Sequence, residues 1–478
     1  IIQRSFIHYL DEIDPSKTYF LESEVAEWIT PSEELLKQTL QNVQKADFSN
    51  FLTLHSCIER AVARRNQIEL EVASMQMPTQ VSLSEFKDLT WVKTEEDLKN
   101  RILRIKALQL ETAEKLSLSD QEQFTLKLKK RRINREEELL GKSATEKTQT
   151  ALSYTLKSIS SSLDSQTAYF TPSEATQFMI QVQQKLYGIG AQLKDDLNGL
   201  TIVRLLDGGP AGADNKLKVG DKIIAVDKEP IVGMEISDAV ELIRGQQGTP
   251  VRLTVLRTGN DTETKEEEKL EIEIIRGEVV LKESRLETSK HPFGDGCIGI
   301  LHLFSFYQDS TSSSAKDLAQ AINELKKDNK LKGIILDLRN NAGGVLTQAV
   351  AVTGLFIDKG VVVSVKDNTN SIQRLRNLEE KKAWDGPLLV LTNRGSASAS
   401  EIVAQTLQEY GRAFVIGDSE TFGKGTFQTF TLESANYGKV NPKGEFKVTR
   451  GRYYTVSGKS PQLVGVIADI VVPGAFLN

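Results

Sequence analysis

The chain has few of the side chains and segments that mark several large classes of protein. Its 478 residues include only two cysteines, Cys57 and Cys297, which excludes a disulfide-dense scaffold. No apolar run approaches the length that a helix needs to cross a bilayer. The net charge of -5 at pH 7 gives no general attraction to nucleic acid. We therefore expect a globular protein with no transmembrane segment and no nucleic-acid partner.

Histidine is also scarce, and this bears on how a serine could be activated. The four histidines are His8, His55, His291 and His302, and none follows residue 302. A Ser-His-Asp triad could still form through space, but no local sequence feature supports one. A lysine base is the better candidate for the serine-rich segment described next.

Residues 395–401, Gly-Ser-Ala-Ser-Ala-Ser-Glu, are the most informative segment of the chain. They follow the apolar, β-type run 387–391 and precede residues 401–409, whose apolar positions recur with helical spacing. A turn from a strand into a helix exposes a hydroxyl, and the first N–H groups of the helix have no internal partner there. The segment therefore predicts a serine nucleophile beside donors that could hold an oxyanion.

Lys424, which lies between two glycines, is the candidate base. Lysine can accept a proton only when neutral, so burial must lower its pKa, and the flanking Phe422 and Phe427 could supply that burial. If residues 424–430 are extended, side chains alternate, and Lys424 and Gln428 share a face. Gln428 could then hold the lysine amine in line.

A second turn rich in asparagine and glycine occupies residues 339–344, Arg-Asn-Asn-Ala-Gly-Gly. It follows the mostly apolar run 332–338, and a buried strand that opens into a helix through such residues presents free N–H groups. Ser313 and Lys316 also satisfy the S-x-x-K signature of penicillin-binding enzymes. Serines at a helix start are usually caps, however, and neither S-D-N nor K-T-G occurs in the chain.

Residues 186–276 differ from their surroundings, because a glycine-rich stretch at 187–190 leads into apolar β-type segments and a helical segment at 236–245. A glycine-rich loop before an edge strand offers N–H groups to a chain-terminal carboxylate, and the bound peptide adds a strand beside it. The order of these segments resembles a PDZ domain, which implies recognition of C-terminal tails.

The segments Ser-Ala-Ser-Ala-Ser-Glu-Ile and Phe-Gly-Lys-Gly-Thr together resemble the C-terminal processing, or tail-specific, proteases. These are serine peptidases with a Ser/Lys dyad and an embedded PDZ domain. The match runs from about residue 163 to the end, and the part before it looks like the helical domain of the periplasmic Gram-negative branch. The resemblance implies a multidomain α+β fold: a helical N-terminal domain (1–180), a PDZ domain (186–276) and an α/β protease core of the ClpP/crotonase-like type (277–478).

The resemblance also implies site residues. Ser398 corresponds to the nucleophile, Lys424 to the general base and Gln428 to its orienting partner. The N–H groups of Gly343 or Gly344, together with that of Ala399, correspond to the oxyanion hole. The implied tail-binding residues are a loop and a groove for an apolar terminal side chain, namely Tyr187, Gly188, Ile189, Gly190, Ala191, Gln192, Leu193 and Val240.

The expected function is that of a serine endopeptidase that selects protein substrates by apolar C-terminal tails and needs no metal or organic cofactor. The chain begins at Ile1 rather than Met, which allows export, and the resemblance implies a periplasmic location. The family's periplasmic branch usually has a further C-terminal domain, so the chain is expected to be a truncated or a naturally short form. An adaptor protein and a homo-oligomer are compatible with the resemblance. Two alternatives stay open: a PDZ scaffold with an inactive protease-like domain, and an S-x-x-K acyl transferase acting on cell-wall peptide.

Overall fold

The computed structural model describes residues 1–472 and 474, except 114–117, 197–198, 207, 214, 233, 235, 259–266, 282–284, 310, 328–329 and 431–442. The chain forms two units. One comprises Ile1–Ala175 with Gln428–Thr449, and the other comprises Thr176–Phe427 with Arg450–Asn478. The predicted division into domains at 1–180, 186–276 and 277–478 stays a prediction.

The helices are α1 Ile2–Ile13, α2 Glu22–Ile29, α3 Glu33–Gln44, α4 Ser49–Ser56, α5 Ile58–Val72, α6 Glu95–Ala113, α7 Leu118–Leu140, α8 Ala144–Ser161, α9 Pro172–Gln183, α10 Pro210–Ala213, α11 Ile236–Ile243, α12 Ser314–Lys326, α13 Leu346–Gly354 and α14 Ala399–Glu409, with a 3-10 turn at Leu83–Phe86. Within the residues just defined, no helix is both long and apolar enough to cross a bilayer.

The strands are β1 Ala168–Phe170, β2 Lys185–Gly188, β3 Ala191–Asp196, β4 Gly199–Leu205, β5 Lys222–Val226, β6 Glu229–Pro230, β7 Pro250–Thr258, β8 Glu267–Ile275, β9 Gly277–Val280, β10 Leu286–Phe293, β11 Gly296–Leu303, β12 Leu331–Asp337, β13 Gly360–Asp367, β14 Ile372–Asn377, β15 Leu388–Thr392, β16 Phe414–Gly417, β17 Thr426–Phe430, β18 Glu445–Tyr454 and β19 Ile470–Val471.

The first unit is mostly helical, as the sequence predicts. In α1 the buried side chains recur every three or four residues, at Phe6, Tyr9, Leu10 and Ile13, so one face of the helix enters the core. The core also contains aromatic side chains from α2 and α4, and Phe6 lies with its ring centroid 5.0 Å from that of Trp28. Packing of apolar side chains from several helices therefore stabilises this unit.

Residues 191–275 of the second unit form an antiparallel sheet in the order β3-β4-β5-β7-β8, with β6 on β5. Strand β3 lies at one edge and pairs only with β4 among the described strands, so the predicted edge strand is confirmed. Strands β7 and β8 pair in antiparallel register from Pro250 opposite Ile275 to Thr258 opposite Glu267. Residues 259–266, between β7 and β8, lie outside the described residues.

The rest of the second unit is built on a six-stranded sheet in the order β10-β11-β12-β15-β16-β19. Every pair from β11 onward is parallel, and the buried strands and helices α12, α13 and α14 share one apolar core. Because β12 and β15 are parallel neighbours, the turns that follow them emerge at the same edge of the sheet. These are the Asn-Gly turn 339–344 and the serine-rich turn 393–398.

Candidate active site

Residues 395–401 contain three serines, and the hydroxyl of one of them differs in its surroundings from those of the other two. Ser396 and Ser400 are fully buried, and their hydroxyls donate to Leu338 O and Asn341 O, at 2.8 and 2.7 Å. Ser398 is half-buried and stands immediately before α14. Among the three serines it is therefore the one that a substrate could reach.

The backbone of Ser398 is strained, with φ 56° and ψ -112°. A non-glycine residue with positive φ is uncommon, and such strain occurs preferentially at functional sites. The sharp turn places the serine between the end of β15 and the first N–H groups of α14, as the sequence predicts. The geometry is that expected of a nucleophile turn.

Asn341 joins the Asn-Gly turn to the serine-rich turn. Its amide donates to Leu303 O at 2.8 Å, and its carbonyl oxygen accepts the N–H of Ala397 at 3.0 Å. Its side-chain oxygen accepts the N–H of Gly343 at 2.9 Å. Of the two glycines predicted to serve an oxyanion hole, Gly343 therefore has its N–H committed to a protein acceptor.

Neighbouring atoms lie so close to Gly343 and Gly344 that a side chain would not fit at either position. A Cβ added at Gly343 would lie 2.8 Å from Ser398 Cβ, and one added at Gly344 would lie 2.2 Å from Phe306 O. Both residues also have positive φ, 102° and 144°. The Asn-Gly turn thus lies directly against the nucleophile turn, which is where an oxyanion hole would need it.

Glu401, which the sequence did not single out, connects Ser398 to Lys424. Its fully buried carboxylate accepts the N–H groups of Ser398 at 2.7 Å and Lys424 at 2.9 Å, both on Oε2. Its Oε1 accepts the Thr421 hydroxyl at 2.6 Å and the N–H of Gly423 at 2.7 Å. One carboxylate thus fixes the two residues predicted to form the dyad.

Burial raises the pKa of the Glu401 carboxyl above its usual value, and the four hydrogen bonds that it accepts oppose this effect. Its donors are three backbone N–H groups and one hydroxyl.

Tyr453 forms a second connection between the same residues. Its side chain is 1% exposed, and its hydroxyl lies within hydrogen-bond reach of Ser398 O, at 3.2 Å, and of Lys424 O. Its N–H also donates to Gly425 O at 2.9 Å. Burial, followed by the nearby charge of Glu401, raises the pKa of this phenol well above its ordinary value. Ser398 and Lys424 are therefore held by Glu401 and by Tyr453.

Two expectations about the lysine turn are wrong. Phe422 is 62% exposed and does not contribute to burial, although Phe427 packs against the apolar core. Strand β17 begins at Thr426, so the alternation argument does not extend to Lys424. Gln428 belongs to the first unit, where its amide donates to Thr449 Oγ1 at 3.4 Å.

The alternative chemistries find no support in these contacts. Ser313 caps α12 by accepting the N–H of Lys316 at 3.4 Å, and Lys316 Nζ donates to Thr311 O at 2.9 Å. Both residues of the S-x-x-K match thus serve the helix start. Of the hydrogen bonds made by the described residues, none joins a histidine to Ser398. His302 instead stacks near Phe304, with ring centroids 4.1 Å apart.

The predicted tail-binding loop is shorter than expected. Tyr187 and Gly188 are strand residues of β2, paired with Glu278 and Gly277 of β9. Only Ile189 and Gly190 form the turn into β3, and Gly190 adopts φ 74° where a Cβ would lie 2.7 Å from Gly209 Cα. The assignment of Tyr187 and Gly188 to a loop is therefore wrong, because a strand far along the chain pairs with them.

The predicted groove residues surround one apolar cluster. Ala191 and Leu193 on β3 and Val240 on α11 are partly buried and pack against it, whereas Gln192 points away and is exposed. Alternation along β3 explains this difference. An edge strand with partly exposed apolar side chains next to a helix is the arrangement that strand addition requires.

Arg244 is a further candidate at this site that the sequence analysis missed. It follows the last residue of α11 and is half-buried, and burial lowers the pKa of its guanidinium. A Cβ added at Gly188 would lie 3.7 Å from Arg244 Cγ, so the cation lies beside the start of the turn. Its guanidinium hydrogen-bonds no acceptor within the described parts of the chain. A basic residue after a helix ordinarily suggests only favourable interaction with the helix dipole, which is why the sequence signal was ambiguous.

Sequence models of three families match consecutive parts of the chain. "Tail specific protease N-terminal domain" matches residues 1–173, "PDZ domain" matches 177–256 and "Peptidase family S41" matches 297–472. The predicted fold class is therefore confirmed: a helical N-terminal region, a PDZ domain and a protease core.

Curated relatives carry the same combination of names. The chain is 36% identical over 327 residues to a "Tail-specific protease" of Haemophilus influenzae, covering 66% of this chain and 45% of that protein. It is 36% identical over 319 residues to a "Carboxy-terminal-processing protease" of Bartonella bacilliformis, covering 65% of this chain and 67% of that protein. The chain thus spans about half to two thirds of the length of these relatives.

A solved structure titled "Photosystem II D1 C-terminal processing protease" is 24% identical, with a TM-score of 0.39, and the match covers 71% of this chain and 86% of that one. The resemblance seen in the sequence is confirmed by the family models and the curated relatives. The chain belongs to the family of carboxy-terminal-processing, or tail-specific, proteases.

Proposed function

We propose that this chain is a serine endopeptidase that selects protein substrates by their C-terminal tails and cleaves them with Ser398 and Lys424. The observation that carries the proposal is the shared carboxylate: Glu401 Oε2 accepts the N–H groups of both residues. Residues 26 positions apart in the chain are thereby held at one point, and that point lies beside the N-terminus of α14.

In the proposed reaction the Ser398 hydroxyl attacks the carbonyl carbon of a peptide bond, and neutral Lys424 takes its proton. The tetrahedral intermediate collapses, the C–N bond breaks, and the lysine returns the proton to the leaving amine. A water molecule then attacks the acyl-enzyme ester, releasing the carboxylate product and restoring the Ser398 hydroxyl. No step requires a metal or an organic cofactor.

The oxyanion would be held by the N–H groups of Gly344 and Ala399. Gly343 is the weaker candidate of the glycine pair, because its N–H already donates to Asn341. Ala399 is the first residue of α14, where helical N–H groups lack internal partners. Removing one such donor typically costs about 3 kcal/mol of transition-state stabilisation. Gln428 keeps its proposed role as the partner that orients Lys424, on the strength of the family resemblance.

Substrate tails would add a strand to the free edge of β3. The terminal carboxylate would accept the N–H groups of the turn at Ile189 and Gly190, with Arg244 as its counter-charge. The terminal side chain would enter between Leu193 and Val240, which are apolar and only partly buried. We therefore propose a preference for apolar tails that end in a free carboxylate.

The location and the partners are proposals of the same kind. The two curated relatives named above are bacterial, and the helical domain resembles that of the periplasmic branch, so we propose a periplasmic enzyme. An adaptor protein and a homo-oligomer stay predictions. A PDZ scaffold with an inactive protease-like domain is the second candidate, although a strained, half-buried Ser398 would serve no purpose there.

The test is proteolysis of an unfolded protein with a free apolar C-terminus by wild type, Ser398→Ala and Lys424→Ala. Ser371→Ala and Lys459→Ala, at exposed positions, are the matched controls. We expect cleavage by wild type and both controls, none by the dyad variants, and slower cleavage when the tail ends in Asp-Asp. Equal cleavage by all variants would disprove the dyad, and tail binding without cleavage by wild type would favour the scaffold.

A further inference from the structure

Three large apolar side chains close to the lysine turn are exposed to solvent. Leu463 is 88% exposed, Phe422 is 62% exposed and Val464 is 57% exposed. Single exposed apolar residues are ordinary, but several that are grouped beside a polar site usually mark a contact surface. We refer to Phe422, Leu463 and Val464 as the apolar ledge.

Backbone hydrogen bonds attach the ledge to the serine-rich turn and to the lysine turn, residues 421–425. The N–H of Phe422 donates to Ser396 O at 3.0 Å, and the N–H of Leu463 donates to Gly423 O at 2.8 Å. On the other side of Lys424, the N–H of Gly425 donates to the side-chain oxygen of Gln462 at 2.7 Å. The loop that contains Leu463 therefore runs along the residues on both sides of the proposed base.

Leu463 has a strained backbone in addition to its exposed side chain. Its φ is 68°, in the left-handed region that bulky side chains disfavour and that Gly or Asn adopts readily. A buried leucine could offset such strain by packing, but this side chain makes little contact with the protein. Strain that the fold does not need is expected where it serves a function.

We propose that the apolar ledge, with Leu463 at its tip, contacts an apolar substrate side chain next to the scissile bond. The inference rests on the proposed peptidase function, and it adds a determinant of cleavage-site choice that is separate from tail recognition at β3. If an apolar side chain packed against Leu463 and Phe422, apolar surface of both the substrate and the ledge would be removed from water, which is favourable. This favourable contact forms only when the peptide lies across Ser398, because the ledge is hydrogen-bonded to the two turns that contain Ser398 and Lys424.

The experiment uses two series of quenched fluorescent peptides with one common apolar tail. One series carries Leu or Asn immediately before the scissile bond, and the other carries Leu or Asn immediately after it. For each series, the ratio of kcat/KM for the Leu peptide to that for the Asn peptide is measured with wild type, Leu463→Asn and Phe422→Ser. Leu378→Asn is the matched control, because Leu378 is also a strongly exposed leucine of the same unit.

We expect Leu463→Asn to lower the ratio about tenfold in one of the two series, since one apolar contact is worth roughly that factor in discrimination. Phe422→Ser should lower it in the same series, and Leu378→Asn should leave both ratios unchanged. The melting temperature of Leu463→Asn should equal or exceed that of wild type, because Asn tolerates the left-handed backbone.

Unchanged ratios in both series for Leu463→Asn and Phe422→Ser, with wild-type cleavage intact, would overturn the ledge while leaving the proposed function in place. A lowered ratio accompanied by a lower melting temperature in Leu463→Asn would also count against it, because the leucine would then be structural. No cleavage of any peptide by wild type would remove the proposed function and the ledge together.

Discussion

The proposed catalytic turns and the proposed tail-binding site of the second unit differ in how their polar groups are satisfied. At the catalytic turns, residues 393–401 and 421–425, Glu401 accepts four hydrogen bonds and Tyr453 reaches two carbonyls. At the proposed tail-binding site, Leu193 of β3 and Val240 of α11 are only partly buried, and within the described residues no hydrogen bond joins the Arg244 guanidinium to an acceptor. The first site is held in place by hydrogen bonds within the chain, whereas the second presents partly exposed groups that a peptide tail could contact.

This difference predicts whether a substitution at each site should change kcat or substrate binding. The positions of Ser398 and Lys424 depend on buried protein-protein bonds, so changes there should lower kcat. In the proposed tail-binding site, other groups would contact the terminal carboxylate and the terminal side chain, so changes there should weaken substrate binding and leave kcat unchanged. The comparison fails if changes at the catalytic turns weaken substrate binding as much as they lower kcat. It also fails if changes at the tail-binding site lower kcat as much as they weaken binding.

Among substitutions outside the proposed dyad, the largest effect is expected from Glu401→Ala. Its loss leaves four donors without their acceptor and frees the turns of Ser398 and Lys424 to move, and a displacement of about 1 Å can cost roughly 100-fold in rate. We expect kcat to fall by about that factor with a small change in KM, measured with a quenched peptide under saturating conditions. Glu420→Ala, at a solvent-accessible glutamate, is the control. A change confined to KM would show that Glu401 does not position the dyad.

The second effect should appear at the tail-binding site. Arg244→Gln removes the counter-charge proposed for the terminal carboxylate, and a hydrogen bond to a charged group is worth about 2 kcal/mol, or roughly 30-fold in Kd. Titration of a fluorescent apolar peptide should show this loss for the free acid and no loss for the C-terminal amide. Arg252→Gln, at an exposed arginine of β7, should bind both peptides like wild type. Equal weakening of acid and amide would mean that Arg244 supports the fold only.

A smaller effect is expected from Tyr453→Phe, which removes one hydroxyl and keeps the buried ring. A neutral hydrogen bond is worth about 1 kcal/mol, so kcat should fall roughly fivefold while the Kd for tail peptides stays constant. Tyr454→Phe is the matched control, because alternation along β18 turns that side chain to the opposite face. If both variants lose activity equally, the connection through Tyr453 has no catalytic role.

The sequence predicted the nucleophile turn because its signal is local. Small residues between an apolar strand and a helical pattern specify a strand-to-helix turn, and the structure has β15 and α14 on either side of Ser398. Glu401 could not be predicted in the same way, because in sequence it is one polar residue of a helix. Its partners Thr421, Gly423 and Lys424 are 20 or more positions away, and only the tertiary fold brings them to the carboxylate.

The errors have a similar physical origin. Phe422 was expected to bury the lysine because apolar residues usually enter a core, yet it lies in a turn that precedes the strand and is mostly exposed. Tyr187 and Gly188 were expected in a loop because glycine-rich stretches usually are, but β9, about 90 residues later, pairs with them. Local patterns thus specified the elements, whereas pairings between distant segments decided how each residue is used.

The smallest effect concerns pH and tests whether the buried charge of Glu401 lowers the stability of the folded state. Because burial raises the folded-state pKa of Glu401 above its unfolded value, the folded state binds this proton more tightly. The contribution of Glu401 to stability is therefore greatest below the unfolded pKa of about 4.3 and declines as pH rises through the folded pKa. Urea denaturation should show wild type losing stability relative to Glu401→Gln over this rise in pH. A difference that stays constant, or one that grows in favour of wild type, would mean that the four hydrogen bonds outweigh burial and that the ionised carboxylate is the preferred form.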